Sequence, residues 1–242
     1  MKKVLPFLLV LISMASFGQK QLYFGIAGSG ISPWIINQNN YGEHDLDYKV
    51  MFSWAGSIDI GFDFNKHFGL KTEVGLAQLG QKYYKDISGQ PDSTINRQVK
   101  MNYLMVPLLF KYRTGGNVVR FYLLAGPQFG FLMKATQTYT KGNGPIPPYY
   151  NEEKHDSIVI SESTITDRYN SFQLFFRIDA GVEFTVAKNL GLHVGLTLNY
   201  GLLDINAPDW QLKDADGNYN PSYNAYGGLN FGITYAIPVG KK

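Results

Sequence analysis

The chain has 242 residues, of which 17% are charged and 15% aromatic, with 26 glycines and no cysteine. That length suits a single all-β domain, and the charge content falls below the about 25% of an average soluble domain. Without cysteine there are no disulfides and no thiolate metal sites, and a formal charge of +3 gives no argument for nucleic acid as a partner.

Residues 1–18 read as a secretory signal peptide. Lys2 and Lys3 form a basic start, Val4 to Ala15 an apolar core, and Ser16 and Gly18 are the small residues before a cleavage point at Gln19. The apolar run is shorter than the about 20 residues a membrane-crossing helix needs. Its removal lowers Lys+Arg from 22 to 20 against 19 acids. No cysteine adjoins the cleavage point, which argues against a lipid anchor there. Residues 19–242 are read as one barrel domain.

Beyond Gln19 apolar and polar residues alternate, the two-residue repeat of a strand with one greasy and one polar face. Eight such segments lie near 20–30, 49–63, 68–83, 99–112, 118–135, 170–187, 190–203 and 223–238. The clearest is the sixth. Phe172, Leu174, Phe176, Ile178, Ala180, Val182, Phe184 and Val186 share one face, and Gln173, Phe175, Arg177, Asp179, Gly181, Glu183 and Thr185 the other. Such runs exceed the about five or six residues of ordinary strands and match the roughly 9–11 of a tilted membrane strand. Short turns at Asn65–Lys66, Thr114–Asn117 and Lys188–Asn189 alternate with long polar loops at 31–48, 84–98, 136–169 and 204–222. This predicts an all-β, eight-stranded antiparallel up-and-down transmembrane β-barrel in the outer membrane, with periplasmic turns and external loops.

A soluble barrel would turn its greasy face inward. Here that face carries no charge over most of several strands, which a water-facing surface rarely tolerates. Aromatics also gather near strand ends, as expected of interfacial girdles: Tyr83, Tyr84, Tyr139, Tyr200, Tyr223 and Tyr226 at the loop end, and Phe64, Phe68, Tyr112, Phe184 and Tyr235 at the turn end. The polar faces then bring Asp59, Glu73, Asp179 and Glu183 into the lumen with Lys71, Lys111, Arg120 and Arg177. Eight strands leave an interior that side chains fill, and charges held there must pair. The expectation is a structural salt-bridge network that plugs the barrel.

No catalytic, cofactor-binding or metal-binding residue is predicted. His193 reads as a packed lumenal residue. His44 with Asp45 and Asp47, and His155 with Asp156, lack the third group and fixed geometry that catalysis requires. Asp214, Asp216, Gly217 and Asn218 depart from a calcium loop in the place of the glycine and the missing closing Glu. Gly25, Gly28 and Gly30 precede no helix, as phosphate binding would require.

Tyr103–Tyr112 (YLMVPLLFKY) and Phe121–Gly130 (FYLLAGPQFG), with the stretch Arg177–Leu203, resemble the PorT-like family of outer-membrane β-barrel proteins. The resemblance is best over about 50–240 and implies a barrel without a family active site. It departs at Met105, where members usually carry an acid, which implies one missing lumenal charge pair. Pro107 removes a ladder hydrogen bond and predicts a bulge or local break.

The function these features favour is a non-enzymatic integral barrel, with outer-membrane lipid around it and a protein or ligand partner at its external loops. The third loop, with Tyr139, Tyr149, Tyr150 and Pro147–Pro148, is the leading binding surface, since aromatic-rich loops on a rigid scaffold suit recognition. The alternatives are a secretion or assembly accessory, as one namesake of the family implies, a rim hydrolase using His44 or His155, and a small pore.

Overall fold

A computed structural model of the protein describes residues 20–37, 47–86, 94–141, 144–145, 149–151, 156–158, 163–213 and 217–239. Eight long strands dominate: β1 Lys20–Ile36, β2 Ser53–Asp63, β3 Phe68–Asp86, β4 Thr94–Arg113, β5 Val119–Lys141, β6 Phe172–Ala187, β7 Leu190–Gly201 and β8 Tyr223–Val239. Each pairs antiparallel with the next. The first and last close the ring, in register from Lys20↔Val239 to Ile36↔Tyr223. Closure removes the open edges whose unpaired backbone groups would cost several kcal/mol each in lipid. Among the described residues no helix is long and apolar enough to cross a membrane; the crossings are made by strands.

The greasy faces point outward. Phe24, Ile58, Val74, Leu108, Phe121, Ile178, Leu196 and Phe231 are all exposed, as lipid-facing residues are. Room for bulky inward side chains comes from inward glycines. A Cβ on Gly61 would collide with the Tyr23 ring, and one on Gly195 with the Tyr122 hydroxyl.

Strands β1, β3, β4 and β5 run further toward the loop end than their alternation suggests, so the predicted loop 84–98 shrinks to the seven residues between Asp86 and Thr94. Three short segments continue the sheet: Asp47–Lys49 pairs with Lys82–Tyr84, Ser163–Thr164 with Thr136–Gln137, and Gly144–Pro145 with Thr140–Lys141. At Pro107 the β3–β4 ladder breaks locally, as its missing N–H predicts: no pair forms there at Val106 or Pro107, and the register is the same on either side, at Thr72↔Leu108 and Gly75↔Met105. A bulge falls separately at Met133, between the pairs Tyr103↔Leu132 and Asn102↔Lys134. It switches the inward residues of β5 from Gln128, Gly130 and Leu132 to Ala135, Gln137 and Tyr139, as an extra residue in one strand must.

Three members of the expected aromatic girdle are corrected by this geometry. Tyr83, Tyr139 and Tyr226 face the interior and are only 3%, 5% and 5% exposed. Strand-end position alone does not say which face an aromatic takes; parity along the strand does.

Candidate functional site

The interior is built in layers. At mid-depth Lys71 from β3 bridges Asp59 of β2 at 2.9 Å and Glu73 at 2.8 Å. On the far wall Arg177 of β6 reaches Glu73 at 2.9 Å and Asp179 at 2.7 Å. Arg177 Nη1 also donates to Gln128 Oε1 at 3.3 Å, and Gln128 Nε2 donates to the Tyr226 hydroxyl at 2.8 Å. Three acids thus share two bases, and one guanidinium ties residues 104 positions apart. Two voids touching this cluster measure about 30 and 10 Å³, room for a water molecule or two.

Toward the turn end, Leu109, Tyr122 and Leu124 pack together, with Tyr23 beside them. Beneath lies a second cluster. Lys111 bridges Glu183 at 2.6 Å, Arg113 bridges Asp63 at 2.9 Å, and Arg120 stands 3.9 Å from Glu183. The Lys111 ammonium also sits 4.6 Å from the centre of the Tyr23 ring.

The structure places all eight sequence-predicted charges inside the ring, divided between these two clusters: Asp59, Lys71, Glu73, Arg177 and Asp179 at mid-depth, and Lys111, Arg120 and Glu183 below. Asp63 and Arg113 were missed. Asp63 lies four residues beyond Asp59, by way of Gly61, and Arg113 two beyond Lys111, so continuing the parity to the strand ends would have found them. The single network becomes two because the Tyr23–Tyr122 layer intervenes. Met105 is buried in the same interior, with Gln128 Nε2 3.6 Å from its sulfur.

Toward the loop end the interior turns apolar. Ile31, Ile35, Leu79, Val99, Met101, Tyr103, Ala135 and Phe175 form one buried cluster with Ile165, Tyr169 and Ile205. The last three come from the loops and fold over the barrel like a lid. Within this region Arg97 Nε donates to Gln137 Oε1 at 3.0 Å, and its guanidinium lies 5.1 Å from the Tyr83 ring centre.

The lid is tied by polar groups. Asp204 accepts from the backbone N–H of Asn206 (3.1 Å) and Ser222 (3.0 Å), from the Tyr219 hydroxyl, and from Gln211 Nε2 at 3.2 Å. Asn170 donates to the carbonyls of Asp204 and Asn206 at 3.0 and 2.8 Å, and Arg168 stacks 4.2 Å above Trp210. Burial, and then the bond donated to Asp204, hold the Tyr219 hydroxyl above the usual phenol range.

His193, which has no partner legible in sequence, shares a hydrogen bond of 2.8 Å with Asn230 and packs edge-on against Tyr122. His44, Asp45, His155, Asp214 and Asp216 lie outside the described residues. Asp47 is exposed, in the short strand beside β3, and Gly217 has a positive φ of 80°, which fits a turn. Among the described residues no group of three or more His, Asp or Glu gathers to hold a metal ion.

The sequence model described as "Outer membrane protein beta-barrel domain" matches residues 17–207. No curated protein matches. Among solved structures, Neisserial surface protein A is similar at 15% identity, covering 88% of this chain and 96% of that one, with a TM-score of 0.47. A major outer membrane protein from Thermus thermophilus is similar at 14% identity, covering 90% and 99%, also with a TM-score of 0.47. OprG from Pseudomonas aeruginosa is similar at 12% identity, covering 92% and 97%, with a TM-score of 0.40. With four-fifths of its length matched by the family, the chain belongs to the outer membrane protein beta-barrel domain family and is an integral protein of the outer membrane.

Proposed function

We propose that this protein is a closed, non-enzymatic scaffold of the PorT-like kind, exported by a signal peptide at residues 1–18, that acts through its external loops. The observation that carries this reading is the double seal. Side chains fill the lumen at the central charge cluster, and an apolar cluster closes its outer end beneath Ile165, Tyr169 and Ile205. A sealed interior argues against a conduit, and leaves the loops above the lid as the surface free to recognise a protein or ligand. The charges inside then serve the barrel's stability.

The test is removal of residues 142–162 from the third loop. The shortened barrel is expected to fold, judged by retained heat-modifiable migration on gels. The strain carrying it should share the envelope defect of the complete deletion strain. Wild-type behaviour of the loop-deleted strain would overturn the reading. An unaltered envelope with impaired protein export would instead favour the secretion-accessory role, which rests on the resemblance of Tyr103–Tyr112 and Phe121–Gly130.

A further inference from the structure

The three short turns converge over the periplasmic mouth of the barrel. Lys66 comes from the β2–β3 turn, Gly115–Asn117 from the β4–β5 turn and Lys188–Asn189 from the β6–β7 turn. With the lower charge cluster as floor, they line a polar basin of about 440 Å³. Five cations face it, Lys66, Lys111, Arg113, Arg120 and Lys188, against two acids, Asp63 and Glu183.

Both acids are already engaged. Glu183 holds Lys111 at 2.6 Å, and Asp63 holds Arg113 at 2.9 Å. Arg120 is served less well: it stands 3.9 Å from Glu183 and 3.4 Å from the Thr185 hydroxyl. Lys66 and Lys188 are exposed on the rim. The one surplus acid of the central cluster lies beyond the Tyr23–Tyr122–Leu124 layer, so it does not neutralise the basin.

We propose that this basin binds a phosphate group, either free orthophosphate in the periplasm or the headgroup of an inner-leaflet phospholipid. A guanidinium fork and two mobile ammonium groups suit the geometry and charge of phosphate. The barrel wall is surrounded by lipid, and a charged recess with low-dielectric walls concentrates its field on an entering anion. Thr185 and Thr234 hydroxyls and the Asn117 amide line the same space and supply neutral donors. This site is independent of the external loops, and its test leaves them intact.

Titration of orthophosphate into the detergent-solubilised, full-length barrel, followed by calorimetry, tests the proposal. Saturable one-site binding is expected, weakening as salt is added and falling at least about tenfold in Arg120→Gln, the order expected when a charge-assisted bond is lost. The pair Lys66→Gln with Lys188→Gln alters only exposed turn residues, so it keeps the test valid should Arg120→Gln fail to fold. A parallel arm places the same proteins in nanodiscs with and without phosphatidylglycerol and measures retained lipid by mass spectrometry. Retention lost in the variants identifies the headgroup as the source, and orthophosphate binding alone identifies the free ion. No saturable binding in either arm, or equal binding by wild type and variants, overturns the proposal.

Discussion

The sheet formed by β3, β4 and β5 is two different structures joined end to end. In its lower part the outward residues are Leu70, Val74 and Leu76, Leu104 to Tyr112 in alternation, and Phe121 to Phe131, while the inward ones include Lys71, Glu73, Lys111 and Arg113. Above Leu76, Leu104 and Met133 the polarity inverts. Gln78, Lys82, Gln98, Lys100, Asn102, Lys134 and Thr138 face outward, and Leu79, Val99, Met101, Ala135 and Tyr139 face inward. The lower part is solvated by hydrocarbon and must hide its charges. The upper part stands in water and hides its apolar groups, as any soluble barrel does. One continuous set of strands serves both solvents, and the inversion marks the outer boundary of the membrane.

The sharpest way to break this comparison is to unbalance the charges of the lower interior. Arg177→Met orphans Asp179, leaves Lys71 as the one cation among the cluster's three carboxylates, and is expected to cost about 3–5 kcal/mol, the usual penalty for orphaning a buried charge. Adding Glu73→Gln restores the original one-acid surplus and should recover most of the loss. Urea unfolding from vesicles measures both; equal stability of Arg177→Met and wild type would mean the cluster is not needed.

The boundary itself is probed by placing the same charge on either side of it. Leu196 is 59% exposed on the outward face of β7, midway along the membrane strand, and Leu196→Lys is expected to cost about 2–4 kcal/mol. Thr138→Lys, outward on the extension of β5, should change stability by less than about 0.5 kcal/mol, as surface substitutions do. If both cost the same, the inversion does not mark the membrane edge.

The smallest effect belongs to the lid. Tyr219 has a raised folded-state pKa, so the stability it contributes is full below the unfolded value of about 10. That contribution is lost only as pH rises through the higher folded value. A phenolate-absorbance difference titration between wild type and Tyr219→Phe should therefore isolate one tyrosine that ionises later than an exposed phenol. A component titrating near the unperturbed value would remove the tie to Asp204.

Within the membrane band the alternation of Phe172–Val186 was enough to assign strand, lipid face and lumenal charges such as Arg177 and Glu183, because a two-residue period fixes the face of every side chain at once. The girdle expectation, which rested on strand-end position, failed at Tyr83 and Tyr139. They lie on strand segments outside lipid, where the meaning of the greasy face is reversed, and β5 has by then changed parity at Met133. His193 with Asn230, and Asp204 with Tyr219 and Ser222, were illegible because each joins residues from neighbouring strands or from separate stretches of one loop.

The sequence by itself determined the barrel: eight alternating segments with alternating short and long connections leave few other ways to satisfy the backbone in lipid. Only the tertiary structure decided that the ions form two clusters, that an apolar lid closes the outer end, and that three turns gather cations over the inner mouth. Those features depend on register across the closed ring and on how loops fold back. Both are set by contacts between residues far apart in the chain, on which local periodicity is silent.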